Sequence, residues 1–429
     1  MTPIPSEQSA QTISETPAIS AEPGAAPIAS ASTCIWVVLG LAVMTQTAGS
    51  IVSQGVYTLV PVWKAVFGLS QAAAALVVTV LNGGQIISMI GLGRATDHYG
   101  ERAVVSVTMI GMGLVAIATA MFASSYTVLL CFIGVLGMLY ASVQPGGTRA
   151  ILRWFPAHHR GLATGFRQAA VPLGTSIAAL ILPALAASSG WRTAVLVQGA
   201  VGIAGGAFFW LFYREDADDI AAGRKIARLP FRKLIGLLGE DRAFWPVVLA
   251  GVAMSAFQFT FTASAISFMA DHFRIGLVLS ASLFAATQVV GIPGRVLLPY
   301  LSDRLWPGRR ERSLGWIMAI CTASMICYAL LPVGTPRWAL YSILVMVGFF
   351  GIGWFPIYIL QIAEIAPKTA IASTVGFAST LCMIAMSLGP LVFGMIVDFS
   401  GYRVAWGLLI LPVALLAVPL LRLPRRSLK

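Results

Sequence analysis

Long apolar runs, interrupted by short polar clusters, recur from about residue 35 to residue 422. They lie near 35–60, 70–93, 103–123, 126–150, 161–186, 192–213, 244–270, 277–300, 313–332, 336–362, 370–397 and 402–422. Each is close to the roughly 20 residues that a helix needs to cross about 30 Å of hydrocarbon. A membrane β-barrel would instead show apolar and polar positions alternating over about ten residues. The pattern therefore predicts an all-α integral membrane protein with twelve transmembrane helices. The first 33 residues differ: they are rich in Ala, Pro, Ser and Thr, carry Glu7, Glu15 and Glu22, and contain no Lys or Arg. They read as a disordered tail and not as a secretory signal, so the first helix itself directs insertion.

Segment 214–243 is the one long charged interruption, and it separates six runs from six. The expected organisation is a tail (1–33), a six-helix bundle (34–213), a cytoplasmic linker (214–243), a second six-helix bundle (244–423) and a basic tail (424–429). The two halves share residues at a constant offset of 211: Pro145 with Pro356, Pro156 with Pro367, Gly165-Phe166 with Gly376-Phe377, and Gly190 and Arg192 with Gly401 and Arg403. Asp97 and Asp303 correspond at an offset of 206, which requires about five residues of length change in the third or fourth helix of the repeat. Parallel repeats of this kind line a central pathway with the substrate near mid-depth.

Composition agrees with burial in lipid: 58% of the 429 residues are hydrophobic, 10% are charged and the mean hydropathy is +0.85. The net charge of +12 would suggest an anionic partner such as nucleic acid in a soluble protein. Here topology accounts for it, because twenty of the 28 basic residues fall in alternate loops and the termini, five in the opposite loops, and Arg149, Arg167 and Arg295 within helices. That bias puts both termini in the cytoplasm of a multi-pass inner-membrane protein. Ten of eleven tryptophans lie near proposed helix ends, where indoles favour the interface, and Trp354 lies well inside a helix. The five cysteines fall in or beside apolar segments and read as packing residues. No cofactor or metal-ligand spacing is present. An enzyme would need convergent His, Cys or carboxylate groups, and a sensor a soluble domain; the chain offers neither.

The loop after the second run reads Gly93-Arg-Ala-Thr-Asp97-His-Tyr-Gly100-Glu-Arg102. With the twelve helices and the repeat, it resembles the signature loop of the major facilitator superfamily, departing from it at His98, where a basic residue is usual. The resemblance covers nearly everything after the tail, and implies alternating access with this loop as a latch. Gly93 would allow close helix approach, Gly100 belongs to the motif, and Asp97 and Arg102 supply charges. The second half carries a degraded copy with Pro299 in the glycine position, where Asp303 and Arg304 keep the charge role.

Ionisable groups inside helices are costly and mark functional sites by default. Here they are arginines, with no deep carboxylate. Arg295 precedes Asp303 by eight residues, about 12 Å of helix. It resembles the helix 8 arginine of the oxalate/formate antiporter and monocarboxylate transporter group, where the guanidinium fork suits a carboxylate. Arg167 is a second candidate cation, and Arg149 reads as interfacial. Polar and aromatic positions complete the expected lining: Gln46, Gln54 and Tyr57 on helix 1, Asn82 and Gln85 on helix 2, Tyr140 and Gln144 on helix 4, and Gln258, Gln288, Trp354, Tyr358 and Gln361 on helices 7, 8 and 10. The expectation is a monomeric secondary transporter in contact with membrane lipid. It moves a small organic anion, with a co-transported ion or an exchanged anion. The alternative is efflux of drugs or hydrophobic compounds, which normally uses a membrane-embedded acid that helix 1 lacks.

Overall fold

The computed structural model describes residues 28–143, 147, 155, 160–214, 242–366 and 371–423, with backbone alone at 28–34, 90, 97, 160–162 and 371–373. Long helices follow one another along the chain: α1 (Ile28–Phe67), α2 (Gln71–Tyr99), α3 (Glu101–Phe122), α4 (Tyr126–Tyr140), α5 (Arg160–Ser189) and α6 (Trp191–Phe212). The second half holds α7 (Phe244–His272), α8 (Leu277–Leu305) and α9 (Arg310–Leu330). Next comes α10 in three pieces: Arg337–Met346, a π-helical turn Val347–Ile352, and Phe355–Ile365. The last run, Ile371–Arg422, breaks at Gly401 into α11 (371–400) and α12 (402–422). With the last run counted once and the shorter α4 aside, ten of the described helices are long and apolar enough to cross a membrane.

Sequence patterning underestimates α1, which begins before residue 35 and carries Lys64 in its last turn instead of in a loop. It also misses the break in α10, because a π turn leaves the hydropathy unchanged. Trp354 thus caps the last piece of α10 and does not sit inside a continuous helix.

The interior falls into two main hydrophobic clusters. One draws on α1 to α6 around Val56, Val77, Met109, Leu136 and Leu182; the other draws on α7 to α12 around Phe261, Tyr328, Trp354 and Trp406. Trp63 and Trp406 are 1% and 0% exposed. Nearness to a helix end therefore did not put these indoles at the lipid interface, because they sit on the inward faces of α1 and α12. Trp36, Trp210, Trp316 and Trp338 are exposed.

Within the bundles, small residues let backbones touch. A Cβ at Gly84 would strike the backbone at Gly134, and one at Gly137 the backbone at Leu81, so α2 and α4 are in direct contact. Gly291 and Gly294 of α8 do the same against Gly348, Phe349, Ile352 and Gly353 of α10. Gly93 is different: a Cβ there would meet nothing within 4 Å. The close approach expected at Gly93 occurs three turns earlier on α2.

Gly100, Gly190 and Gly401 are each a whole interhelical connection, linking α2 to α3, α5 to α6 and α11 to α12. Their φ/ψ values, 84/162, 86/155 and 79/169, fall in a region open essentially to glycine alone. Gly190 and Gly401 are repeat equivalents at offset 211. The five-residue length difference sits mainly in connections, not inside a helix. Four residues link α8 to α9 where Gly100 alone links α2 to α3, and six link α9 to α10 where three link α3 to α4, while α9 is one residue shorter than α3.

Candidate functional site

The bundles meet along α5 with α8 and α2 with α11. At the end that bears Lys64 they are fastened together. Lys64 Nζ pairs with Asp271 Oδ2 at 2.8 Å, and Tyr402 donates to the same oxygen at 2.9 Å. Asp398, near the end of α11, accepts the backbone N–H groups of Gln71 and Ala72 at 2.8 Å each, so a carboxylate caps the positive N-terminus of α2. Further along the seam, Thr79 donates to Ser387 O at 2.7 Å, Ser387 returns a bond to Thr79 O at 3.0 Å, and Asn82 donates to Met386 O at 3.3 Å.

Deeper between the bundles the contacts become cationic. Arg167 on α5 is 2% exposed, and its Nη1 donates to Gln46 Oε1 at 2.7 Å; Gln46 Nε2 in turn donates to the Tyr140 hydroxyl at 3.1 Å. Gly147 leaves room for this guanidinium, since a Cβ there would lie 3.1 Å from both its Cδ and Nη1. Arg295 on α8 is 5% exposed. Its Nε donates to Ile352 O in the π turn at 3.2 Å, and its Nη1 crosses the interface to Gln168 O on α5 at 2.7 Å. Arg295 thus bonds the main chain at residue 168 of α5, next in the chain to Arg167. The glycine contacts of α8 with α10 set this geometry, because they bring the Ile352 carbonyl within reach of Arg295.

Other expected lining residues have local partners. Tyr57 is fully buried and clasped to Asn82, with Gln85 donating to Asn82 Oδ1 at 3.0 Å. Trp354 donates to Gln258 Oε1 at 2.7 Å and packs on Tyr358, whose hydroxyl lies 3.4 Å from Cys382 Sγ. Gln361 donates to Glu311 at 3.4 Å. Gln54 and Gln288 are buried, yet neither amide makes a side-chain hydrogen bond among the described residues. Gln288 stands seven residues before Arg295 on the same face of α8, about 10 Å along the axis. Gln144 and Arg149 lie outside the described residues, as does the Asp97 side chain.

Around the signature loop, Gly100 forms the tight turn, while Arg102 donates to Trp210 O at 2.9 Å and stacks on the Trp210 ring. In the degraded copy the two charges take different partners. The cation for Asp303 is Arg310 of α9, with Nη2 at 2.8 Å, and Arg310 also binds Glu364; Arg304 turns to the Tyr300 hydroxyl at 3.2 Å. Arg304 follows Asp303 directly in the chain, so the two side chains point to different sides of α8. Glu101 and Glu311, in the first turns of α3 and α9, are 0% and 3% exposed. They are the buried carboxylates that hydropathy hid by placing them at helix ends. Sequence reading also missed Asp398 and Asp271, whose signal was their position at the ends of otherwise acid-free runs.

Comparison with known proteins follows the same lines. An uncharacterised MFS-type transporter of Mycobacterium tuberculosis is 25% identical over 395 residues, covering 90% of this chain and 84% of that one. The probable sulfoacetate transporter SauU of Cupriavidus necator is 24% identical, covering 72% and 75%. A probable L-galactonate transporter of Escherichia coli K12 is 24% identical, covering 79% and 78%. Among solved structures, a bacterial homologue of the human lysosomal transporter Spinster, inward-facing and unoccupied, superposes with a TM-score of 0.74 at 18% identity, covering 90% of this chain and 96% of that one. The profile of the Major Facilitator Superfamily matches residues 28–390. The chain belongs to the Major Facilitator Superfamily and is a multi-pass membrane transporter of that family.

Proposed function

We propose that this transporter moves a small organic acid across the cytoplasmic membrane by alternating access, with the substrate carboxylate held between Arg295 and Arg167. The observation that carries the reading is a pair of buried arginines, one from each bundle, at neighbouring positions along α5: Arg167 on α5 itself and Arg295 donating to the adjacent Gln168 carbonyl. Guanidinium is the side chain best suited to gripping a carboxylate through two parallel bonds. Tyr140 is tied to Arg167 through Gln46. Gln54 and Gln288, with unused hydrogen-bonding capacity, would take hydroxyl or other polar groups further along the substrate, and Trp354 and Tyr358 would form an apolar wall. The compounds named for two relatives, sulfoacetate and L-galactonate, are acids of this kind, which supports the choice.

With the N-terminus in the cytoplasm, as the basic residues favour, the fastened Lys64 end is the outer one. In this reading the loop from Gly93 to Arg102 and the ion pairs around Asp303 form the opposing cytoplasmic latch. Asp97 and Arg102 act in the first half, and Asp303, held by Arg310, in the second.

The test is substrate binding to purified protein carrying Arg295→Ala or Arg295→Lys. Loss of a charge-assisted partner by a buried carboxylate costs on the order of 2 to 5 kcal/mol. At about 1.4 kcal/mol per decade, affinity for the acid should fall roughly thirtyfold or more. The methyl ester of the same acid has no charge to lose and should bind equally to both proteins. An equal loss for acid and ester would make Arg295 a packing residue and end the proposal.

A further inference from the structure

We infer that the end of the fold opposite Lys64 binds the phosphate of an acidic phospholipid, gripped by Arg312 and Arg309 where α9 begins beside the last turn of α12.

The repeat points to the place. Glu101-Arg102 opens α3 as Glu311-Arg312 opens α9, and each of these helices packs on the last helix of its half. In the first half the arginine is engaged: Arg102 Nε donates to Trp210 O at 2.9 Å, and the guanidinium lies 4.8 Å from the centroid of the Trp210 ring, in the last turn of α6. At the constant offset of 211, Trp210 corresponds to Leu421 in the last turn of α12. The helices still touch there, since a Cβ on Gly315 would lie 3.0 Å from Leu421 Cγ. Arg312 stands one turn before Gly315 on the same face. Leu421, however, offers no ring for a guanidinium to stack on. Arg312 Nε is buried and makes no hydrogen bond among the described residues, and a buried donor without an acceptor is costly. The Arg312 side chain as a whole is partly exposed, so an anion arriving from outside can reach its fork and lower that cost.

Neighbouring charge has the right sign. Arg309, the residue before α9, stands three positions from Arg312, the spacing of neighbours on one helical face. Its Nη2 donates to Leu423 O at 3.0 Å, which ties it to the end of α12, while its Nε makes no hydrogen bond among the described residues. The positive end of the α9 dipole and the exposed Arg422 of α12 add to the field. The nearby acids offset only part of it. Glu311 is 3% exposed, bonded to Gln361 and 3.9 Å from Arg309, and Asp303 and Glu364 share Arg310.

Depth identifies the anion as a lipid. Trp316, one turn beyond Arg312 on α9, is 44% exposed, and an outward indole near a helix end marks the boundary between headgroups and hydrocarbon. On α12, Leu411, Leu415 and Val418 form an exposed apolar stripe that ends at Arg422. Guanidinium groups at the helix ends, with apolar outward surface directly below, match a molecule that carries a phosphate head on hydrocarbon tails. Basic pockets between membrane helices recognise acidic headgroups in this way.

The test is native mass spectrometry of the full chain in detergent, titrated with dioleoylphosphatidylglycerol or with zwitterionic dioleoylphosphatidylcholine. The parent should take its first phosphatidylglycerol at least about fivefold more tightly than phosphatidylcholine, as expected for one basic residue near the membrane surface. Arg312→Gln should abolish that preference and leave phosphatidylcholine binding unchanged. Arg312→Lys, which keeps a point charge able to hold phosphate, should stay within about twofold of the parent. So should Arg102→Gln, whose arginine is already engaged by Trp210. Thermal unfolding checks that each variant is folded, and Arg309→Gln, on a side chain 25% exposed, gives the same reading if Arg312→Gln does not fold. Equal binding of the two lipids by the parent, an unchanged preference in the folded Gln variant, or an equal loss in Arg102→Gln would overturn the inference. Displacement of the lipid by millimolar glycerol 3-phosphate would do so too, because the site would then serve a soluble phosphate.

Discussion

Replacing Asp398 with Asn isolates one fastening between the bundles at the Lys64 end. Its two carboxylate oxygens take the Gln71 and Ala72 N–H groups at 2.8 Å each. Hydrogen bonds to a charged group contribute about 1.5 to 3 kcal/mol apiece when water is excluded. A charge at a helix N-terminus adds about 0.3 to 1 kcal/mol. Asp398 is exposed, so water competes and the lower ends of these ranges apply. Asn retains one acceptor and loses the charge, which leaves a deficit of about 1 to 2 kcal/mol. At about 1.4 kcal/mol per decade, the ratio of fastened to unfastened conformations should fall roughly five- to thirtyfold. Ser387, 5% exposed and bonded to Thr79 across the same seam, offers the readout. With the five natural cysteines replaced, S387C should react with a maleimide five to thirty times faster when Asp398→Asn is added. The purified protein in detergent serves for this, so membrane orientation does not enter. Equal rates in two folded proteins would show that the α2 cap does not hold this end shut.

Two further outcomes are expected. Gly84→Ala, whose new methyl group meets the Gly134 backbone, should lower the unfolding midpoint in detergent by the equivalent of about 1 to 3 kcal/mol. Gly93→Ala, facing open space, should leave that midpoint within about 0.5 kcal/mol of the parent; a comparable drop for both would mean that α2 packs differently. In intact cells, S189C should react with an impermeant thiol reagent while I220C stays silent, as the distribution of basic residues requires; labelling of I220C would reverse the topology.

The number and order of helices were legible because crossing a bilayer demands long apolar runs, and the repeat was legible because Gly190 and Gly401 need a backbone conformation that no other residue adopts easily. Arg295 and Arg167 stood out because a charge in mid-helix is rare. Their partners did not, since Gln168 and Ile352 contribute main-chain carbonyls, which every residue possesses. The pairing of Asp303 with Arg310 was hidden for a related reason, because the sequence does not say which residue of the next helix faces a given side chain. Trp63 and Trp406 show the same limit: distance to a helix end is written in the chain, while the side turned inward depends on neighbours supplied by other helices.

The single-glycine connections set unequal tolerances in the two halves. At Gly100 and Gly190 there is no spare chain, so one inserted residue would rotate the following helix by about 100° and turn its inward face to lipid. The same insertion between α8 and α9, where four residues already span the turn, or between α9 and α10, where six do, has slack to absorb it. An epitope or fluorophore is therefore best grafted into 306–309 or 331–336, and lineages that lengthen this protein should do so there before they touch the glycine turns.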